Sequence, residues 1–164
     1  MIIAITGTPG TGKTTLAKIL SKEMNLEIFD VNDFIEKNKK TVLIEYDEDR
    51  ETNVIDDNKL MSLIEEKLRR KEITDAIIDS HLSHYISQKY IDACIVLSCD
   101  LSVLKKRLKK RGYNTLKITE NLEAESFDEI KEEAKELHEN VIYVDTTKKI
   151  TIKNLIQGIK KIKK

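Results

Sequence analysis

Apolar residues along this 164-residue chain fall into short continuous runs separated by stretches of helical period. Five segments have the length and bounds of strands: Met1–Ile5, Glu27–Asp30, Thr74–Asp79, Ile91–Ser98 and Val141–Asp145. The spacing predicts helices between them. Thr14–Met24 carries Leu16, Ile19, Leu20 and Met24 on one face, and Asn58–Arg70 carries Leu60, Leu63, Ile64 and Leu68. Shorter helices are expected at Asp33–Lys39, after the capping residue Asp100 with Leu101, Leu104 and Leu108 inward, and at Thr151–Lys161. Thr119–His138, with Leu122, Phe127, Ile130, Ala134 and Leu137, reads as one long charged helix. Glu45–Asn53 has no period and reads as an exposed polar segment, and the Lys-rich C-terminus as a solvated helix end. Strands alternating with helices predict one α/β domain over residues 1–164, a five-stranded parallel sheet covered on both faces.

Ligands of such sheets sit beyond the carboxyl ends of the strands. Gly7, Asp30, Asp79 and Asp145 all fall at that edge. There the segment Gly7-Thr8-Pro9-Gly10-Thr11-Gly12-Lys13-Thr14-Thr15 fits G-x-x-x-x-G-K-[ST], between a strand and a helix as a phosphate loop requires. Its glycines let successive backbone N–H groups point into a concavity, and the helix start adds free N–H groups and the positive end of a dipole. Lys13 can reach the β- and γ-phosphates, and the Thr14 hydroxyl can ligate Mg²⁺. The expected ligand is a nucleoside triphosphate with Mg²⁺, in a three-layer P-loop NTPase fold.

Composition narrows the setting. Charged residues make up 35% of the chain yet the formal net charge is zero, which argues against a broad nucleic-acid-binding surface. No apolar run is long enough to span a membrane and no signal segment precedes the first strand, so a cytoplasmic location is expected. Cys94 and Cys99 lie in or beside an apolar run with no histidine at metal-ligand spacing, and read as small buried residues rather than a disulfide.

Other residues could carry chemistry. Asp79 ends an apolar strand, where an aspartate can hold Mg²⁺; the bland alternative is a turn or capping role. His81 shares that edge and could orient a water or a phosphate oxygen, whereas His84 reads as structural. Arg107 and Arg111 lie four apart on a helix leading into Gly112-Tyr113-Asn114. A mobile loop there could bring them onto the charge that develops in phosphoryl transfer; Lys105, Lys106, Lys109 and Lys110 leave open a solvated basic face. Arg50 lies in the polar segment where a second substrate could bind.

Together these motifs resemble the adenylate kinase isoenzyme six family, archaeal and eukaryotic atypical adenylate kinases tied to maturation of the small ribosomal subunit. The resemblance rests on the phosphate loop, Asp79-Ser80-His81, Tyr46-Asp47-Glu48, Arg107-Leu108-x-x-Arg111-Gly112-Tyr113-Asn114 and Asn121-Leu122-x-Ala124-Glu125, and so spans nearly the whole chain. The aspartate-glycine-tyrosine-proline-arginine motif of ordinary adenylate kinases is missing; Asp79-Ser80-His81-Leu82 stands in its place. The resemblance implies a nucleoside monophosphate kinase-like fold, transfer of phosphate from ATP to a monophosphate such as AMP, and ATP hydrolysis. It implies ATP contacts from Gly10, Gly12, Lys13, Thr14, Thr15, Arg107, Arg111 and Lys148, with Thr14 and Asp79 at the metal. A monophosphate-binding segment over about 30–53 would use Asp30, Asp33 and Arg50, and a lid would span about 110–120. Lys13, Asp79, His81 and Arg111 would be catalytic, with His81 coupling hydrolysis to assembly. The implied partners are a platform protein of the small ribosomal subunit and, transiently, pre-ribosomal particles. An ATP-driven assembly factor with incidental kinase activity is the alternative; small kinases for shikimate or dephospho-coenzyme A are a further one, against which the Arg107–Asn114 pattern speaks.

Overall fold

The computed structural model describes residues 1–162; Lys163 and Lys164, part of the predicted lysine-rich helix end, lie outside the described residues. The sheet consists of β1 (Ile2–Gly7), β2 (Glu27–Asp30), β5 (Ala76–Asp79), β6 (Ala93–Ser98) and β7 (Val141–Asp145), all parallel in the order β2-β5-β1-β6-β7. All five predicted strands are present. β1 is central and every one of its side chains is buried, which accounts for the unbroken apolar run.

Alternate residues of the strands feed two cores. Ile3, Ile5, Ile77, Ile95 and Leu97 pack with Leu16, Ala17 and Leu20 of α1 (Lys13–Met24) and with Leu155 and Ile159 of α8 (Ile152–Ile162). Ile2, Ala4, Ile78, Cys94 and Val96 pack on the other face with Leu60, Met61, Ile64 and Leu68 of α4 (Asp57–Arg69) and with Ala134 of α7 (Glu129–Leu137). A smaller cluster of Cys99, Leu104, Leu108 and Ile118 joins α5 (Leu101–Lys110) to α6 (Thr115–Ser126). Both cysteines are buried and free, as expected.

Two expectations are corrected. The polar stretch Glu45–Asn53 is the tip and inner half of an antiparallel hairpin of β3 (Leu43–Asp47) and β4 (Thr52–Ile55). Its strands are only partly buried, so they leave no clean alternation to read. The long helix over Thr119–His138 is instead two, with Asp128 at φ 55 between them. Leu122 to Phe127 is a five-residue step that no helical stripe makes, and Phe127 is accordingly 73% exposed. Asn114 caps α6, accepting from the Lys117 N–H at 2.9 Å, so most of residues 110–120 is helix, with a short turn between α5 and α6. The helix expected at Asp33–Lys39 is resolved as α2 (Val31–Lys37) and α3 (Lys39–Val42).

Core and hairpin should respond differently to truncation. Ile64→Ala removes a fully buried side chain and is expected to cost about 2–5 kcal/mol, whereas Ile44→Ala, at a 63% exposed hairpin position, should stay within about 0.5 kcal/mol. Urea denaturation of the two variants measures both.

Candidate functional site: the phosphate loop and its cleft

β1 ends at Gly7 with φ 134, and a Cβ there would lie 2.3 Å from the Leu97 carbonyl oxygen. Only glycine lets the chain turn this close to β6. At Gly10 a side chain would meet Leu104 and Leu108, so the loop also sits directly on α5. Thr11 closes the loop internally, its hydroxyl donating to the Thr8 carbonyl at 2.8 Å.

Lys13 opens α1 as a half-buried residue whose ammonium is folded inward, donating to the Gly7 carbonyl at 2.7 Å and the Thr8 carbonyl at 3.1 Å. Burial pushes its pKa down to about 8, partly opposed by Asp79 and assisted by the positive charge of Arg111. Asp79 ends β5, only 5% exposed, and shares a hydrogen bond with the Thr14 side chain. Burial pushes its carboxyl up; Thr14, Lys13 and Arg111 pull the other way. Lysine and aspartate both move toward their neutral forms, because desolvation outweighs their mutual attraction.

A cavity of about 650 Å³ opens over these groups, lined by the phosphate loop, Asp79, His81, Asn32, Arg50, Arg111 and Lys117 among others. A second, of about 730 Å³, runs along the other side of the loop past Ile19, Arg107, Lys148 and Ile150. Gly10, Gly12 and Arg111 border both. The geometry offers a phosphate-sized junction between two ligand-sized hollows.

The predicted site residues divide. Gly10, Gly12, Lys13, Thr14, Thr15, Asp79, His81, Arg111 and Lys148 all converge on the two cavities. Arg107 is there too but engaged: its guanidinium donates to the Thr146 hydroxyl and carbonyl, both at 3.0 Å, and more weakly to the Gly10 and Thr11 carbonyls. Arg50 lines the cleft bridging Asp47 at 2.7 Å and Glu120 at 2.7 Å. Asp30 caps α2 through the N–H groups of Asn32 and Asp33 and faces Asp79 in register. Asp33 does not line the cleft; α2 turns Asn32, Ile35 and Glu36 toward it instead, one helical face at i, i+3, i+4.

His81 is open to the cleft, yet the protein around it and the charges of Lys13 and Lys117 push its pKa down to about 4. Cleft water tempers that push without changing its direction, so the imidazole is neutral near pH 7. Its backbone carbonyl accepts from the Thr6 hydroxyl at 3.1 Å. Thr6 in turn lies 2.8 Å from His84 Nδ1, and His84 Nε2 lies 3.0 Å from Glu133 Oε2. His84 is 1% exposed and ties Thr6 to Glu133 at the floor of the cleft.

Sequence reasoning missed Lys117 and Glu120, and it named Glu125 only as part of the stretch that carries the family resemblance, without a role. Lys117 stacks its ammonium 4.6 Å from the Tyr113 ring centre at the cleft wall. Glu125 accepts from the Thr8 hydroxyl at 2.5 Å and from the Cys99 N–H at 2.8 Å. Lys117 and Glu120 share the cleft-facing side of α6 with Asn121 and Ala124, at i, i+3, i+4 and i+7, while Glu125 points to the phosphate loop instead.

Among the described residues no cluster of three or more His, Cys, Asp and Glu could hold a metal unaided. The Thr14 hydroxyl and Asp79 carboxylate are a hard-oxygen pair, the kind of donor set that holds Mg²⁺ together with water and substrate phosphates. No helix among the described residues is long and apolar enough to cross a membrane.

Comparison with known proteins agrees with this geometry. The AAA domain family matches residues 3–128. A protein named "Putative adenylate kinase" from Methanocaldococcus jannaschii is 40% identical over 159 residues, 97% of this chain and 84% of its own. The "Adenylate kinase isoenzyme 6 homolog FAP7" of Saccharomyces cerevisiae is 35% identical over 144 residues, 87% of this chain and 71% of its own. Among solved structures, shikimate kinase from Aquifex aeolicus superposes with a TM-score of 0.60 over 98% of this chain and 97% of that one. At 16% identity it speaks for the fold alone.

The depressed pKa of Lys13 has a measurable consequence. A polyphosphate anion favours the charged ammonium, so binding above about pH 8 should draw a proton onto Lys13 and weaken as pH rises further. Calorimetric titration with ATP in buffers of different ionisation enthalpy should show that uptake at pH 9, and Lys13→Ala should lack it.

Proposed function

From the membership of this chain in the adenylate kinase isoenzyme six family, which carries adenylate kinase-like phosphotransferase chemistry, we propose that it transfers the γ-phosphate of ATP to a nucleoside monophosphate, AMP in the first place, and also hydrolyses ATP. The observation that carries this reading is the phosphate loop standing between two separate cavities, with Arg111 bordering both. One hollow suits the donor nucleoside, against Ile19, Ile150 and Lys148; the other suits the acceptor, against Asn32, Arg50 and Lys117.

The residues then divide the work. The loop N–H groups and Lys13 hold the donor phosphates, and Lys13 leaves the Gly7 and Thr8 carbonyls to do so. Arg111 has no competing hydrogen bond among those described for it, unlike Arg107, and supplies mobile positive charge where the transferring group becomes more negative. Thr14 and Asp79 would hold Mg²⁺, which when bound neutralises charge on the phosphate oxygens. In-line alignment of donor and acceptor across the loop supplies the rest of the rate.

In a second reading, which rests on the family resemblance, the chain is an ATP-driven maturation factor of the small ribosomal subunit with a platform ribosomal protein as partner, and one observation favours the hydrolysis it needs. His81 is neutral, open to the cleft and two residues from Asp79, placed to orient a water for hydrolysis. Both activities can reside in one site.

Lys13→Ala is expected to lower transfer and hydrolysis alike by about 10²-fold or more; retained turnover would overturn the site assignment. His81→Ala should reduce hydrolysis more than transfer, read by separating ADP formed with ATP alone from ADP formed with ATP plus AMP, CMP, GMP or UMP. Equal loss of both activities would remove the distinct role of His81.

A further inference from the structure

The phosphate loop is supported from behind by a carboxylate. Glu125, near the end of α6, accepts from the Thr8 hydroxyl through Oε2 at 2.5 Å and from the Cys99 N–H through Oε1 at 2.8 Å. Thr8 is 2% exposed and 117 residues away in sequence, so the contact exists only because α6 folds back across the carboxyl end of the sheet. The Thr8 carbonyl meanwhile receives the Lys13 ammonium, the Thr11 hydroxyl and the Thr11 N–H. One residue thus ties α6 to the cation and the closing turn of the loop.

A negative charge beside a polyanion site is costly unless it does something there. Glu125 does two things that a neutral side chain of similar length does less well. It accepts two hydrogen bonds at once, each strengthened by its charge, and its field favours the charged form of Lys13. We propose that Glu125 is a positioning residue for the phosphate loop, acting through Thr8, and that it couples the placement of α6 to the affinity for the triphosphate. Glu125 is not among the cleft-lining residues and so acts on the donor without touching it. Neighbouring Asn121 and Ala124 line the cleft, so the carboxylate links the helix that walls the cleft to the donor loop.

The inference rests on the loop being a triphosphate site, and the experiment separates the two. Affinity for a non-hydrolysable ATP analogue with Mg²⁺, and KM for AMP, are measured for Thr8→Val, Thr8→Ser, Glu125→Ala, the Thr8→Val/Glu125→Ala pair and Lys13→Ala. Thermal unfolding checks that each variant is folded. Thr8→Val is nearly isosteric and keeps the test open should Glu125→Ala fail to fold. Thr8→Val and Glu125→Ala are each expected to weaken the analogue about ten-fold with KM for AMP little changed, and Thr8→Ser to restore binding. The double variant should be no weaker than Glu125→Ala alone, since the Thr8–Glu125 bond is already absent in Glu125→Ala. Folded single variants within about two-fold of wild type, or additive losses in the pair, would overturn the proposal. If Lys13→Ala also binds like wild type, the triphosphate reading itself fails.

Discussion

The close approach of Gly7 to the Leu97 carbonyl is the constraint from which the site follows. A Cβ at that point would lie 2.3 Å from the oxygen, well inside contact, so the chain can leave β1 in this direction only without a side chain. Leaving in this direction presents the loop to α5, brings Lys13 back over the Gly7 carbonyl and starts α1 with its free N–H groups at the mouth of the cleft. The burial of all of β1 fixes the strand that must turn there, between β5 and β6. Sheet registry and site geometry are therefore one requirement: Ile5 stands beside Asp79, and the aspartate arrives next to Thr14.

Around that turn the chain concentrates charge that its zero net charge conceals. Lys13, Arg111, Lys117 and Arg50 face a cleft that also holds Asp79, Glu120, Glu129 and Glu133. The balance differs by place. At Lys13 and Asp79 burial dominates and both groups lean toward neutrality. At Arg50, exposed at the hairpin tip, Asp47 and Glu120 pair with the guanidinium in open solvent, where such pairs are worth little and exchange readily. The first arrangement suits a group that must meet a polyanion, and the second a contact between hairpin and α6 that a ligand can replace.

The helices α6 and α7 reach back to the strand ends in two places. Glu125 holds the phosphate loop through Thr8, and Glu133 reaches His84, which meets Thr6, whose hydroxyl donates to the His81 carbonyl. The two carboxylates lie on either side of the break at Asp128, Glu125 on α6 and Glu133 on α7. A helical region whose exposed surface looks merely acidic thus braces both segments that carry the candidate chemistry.

What the sequence by itself determined was local or strictly periodic. The five strands, α1, α4, α5 and the phosphate loop are written in contiguous residues: strands buried on both faces, as β1, β5 and β6 are, must be apolar throughout, and an anion-binding turn needs glycine at fixed places. Gly7, Lys13, Thr14 and Asp79 could be singled out for the same reason, and His81 and Arg111 from their place after a strand end and on a helix leading into a turn. The hairpin, the break before α7, the engagement of Arg107 by Thr146 and the bracing by Glu125 were decided only by tertiary structure. Half-buried strands leave no pattern, and a carboxylate looks the same in sequence whether it faces water or a threonine 117 residues away. Which polar groups meet is a property of how the chain closes on itself, and no window of neighbouring residues contains it.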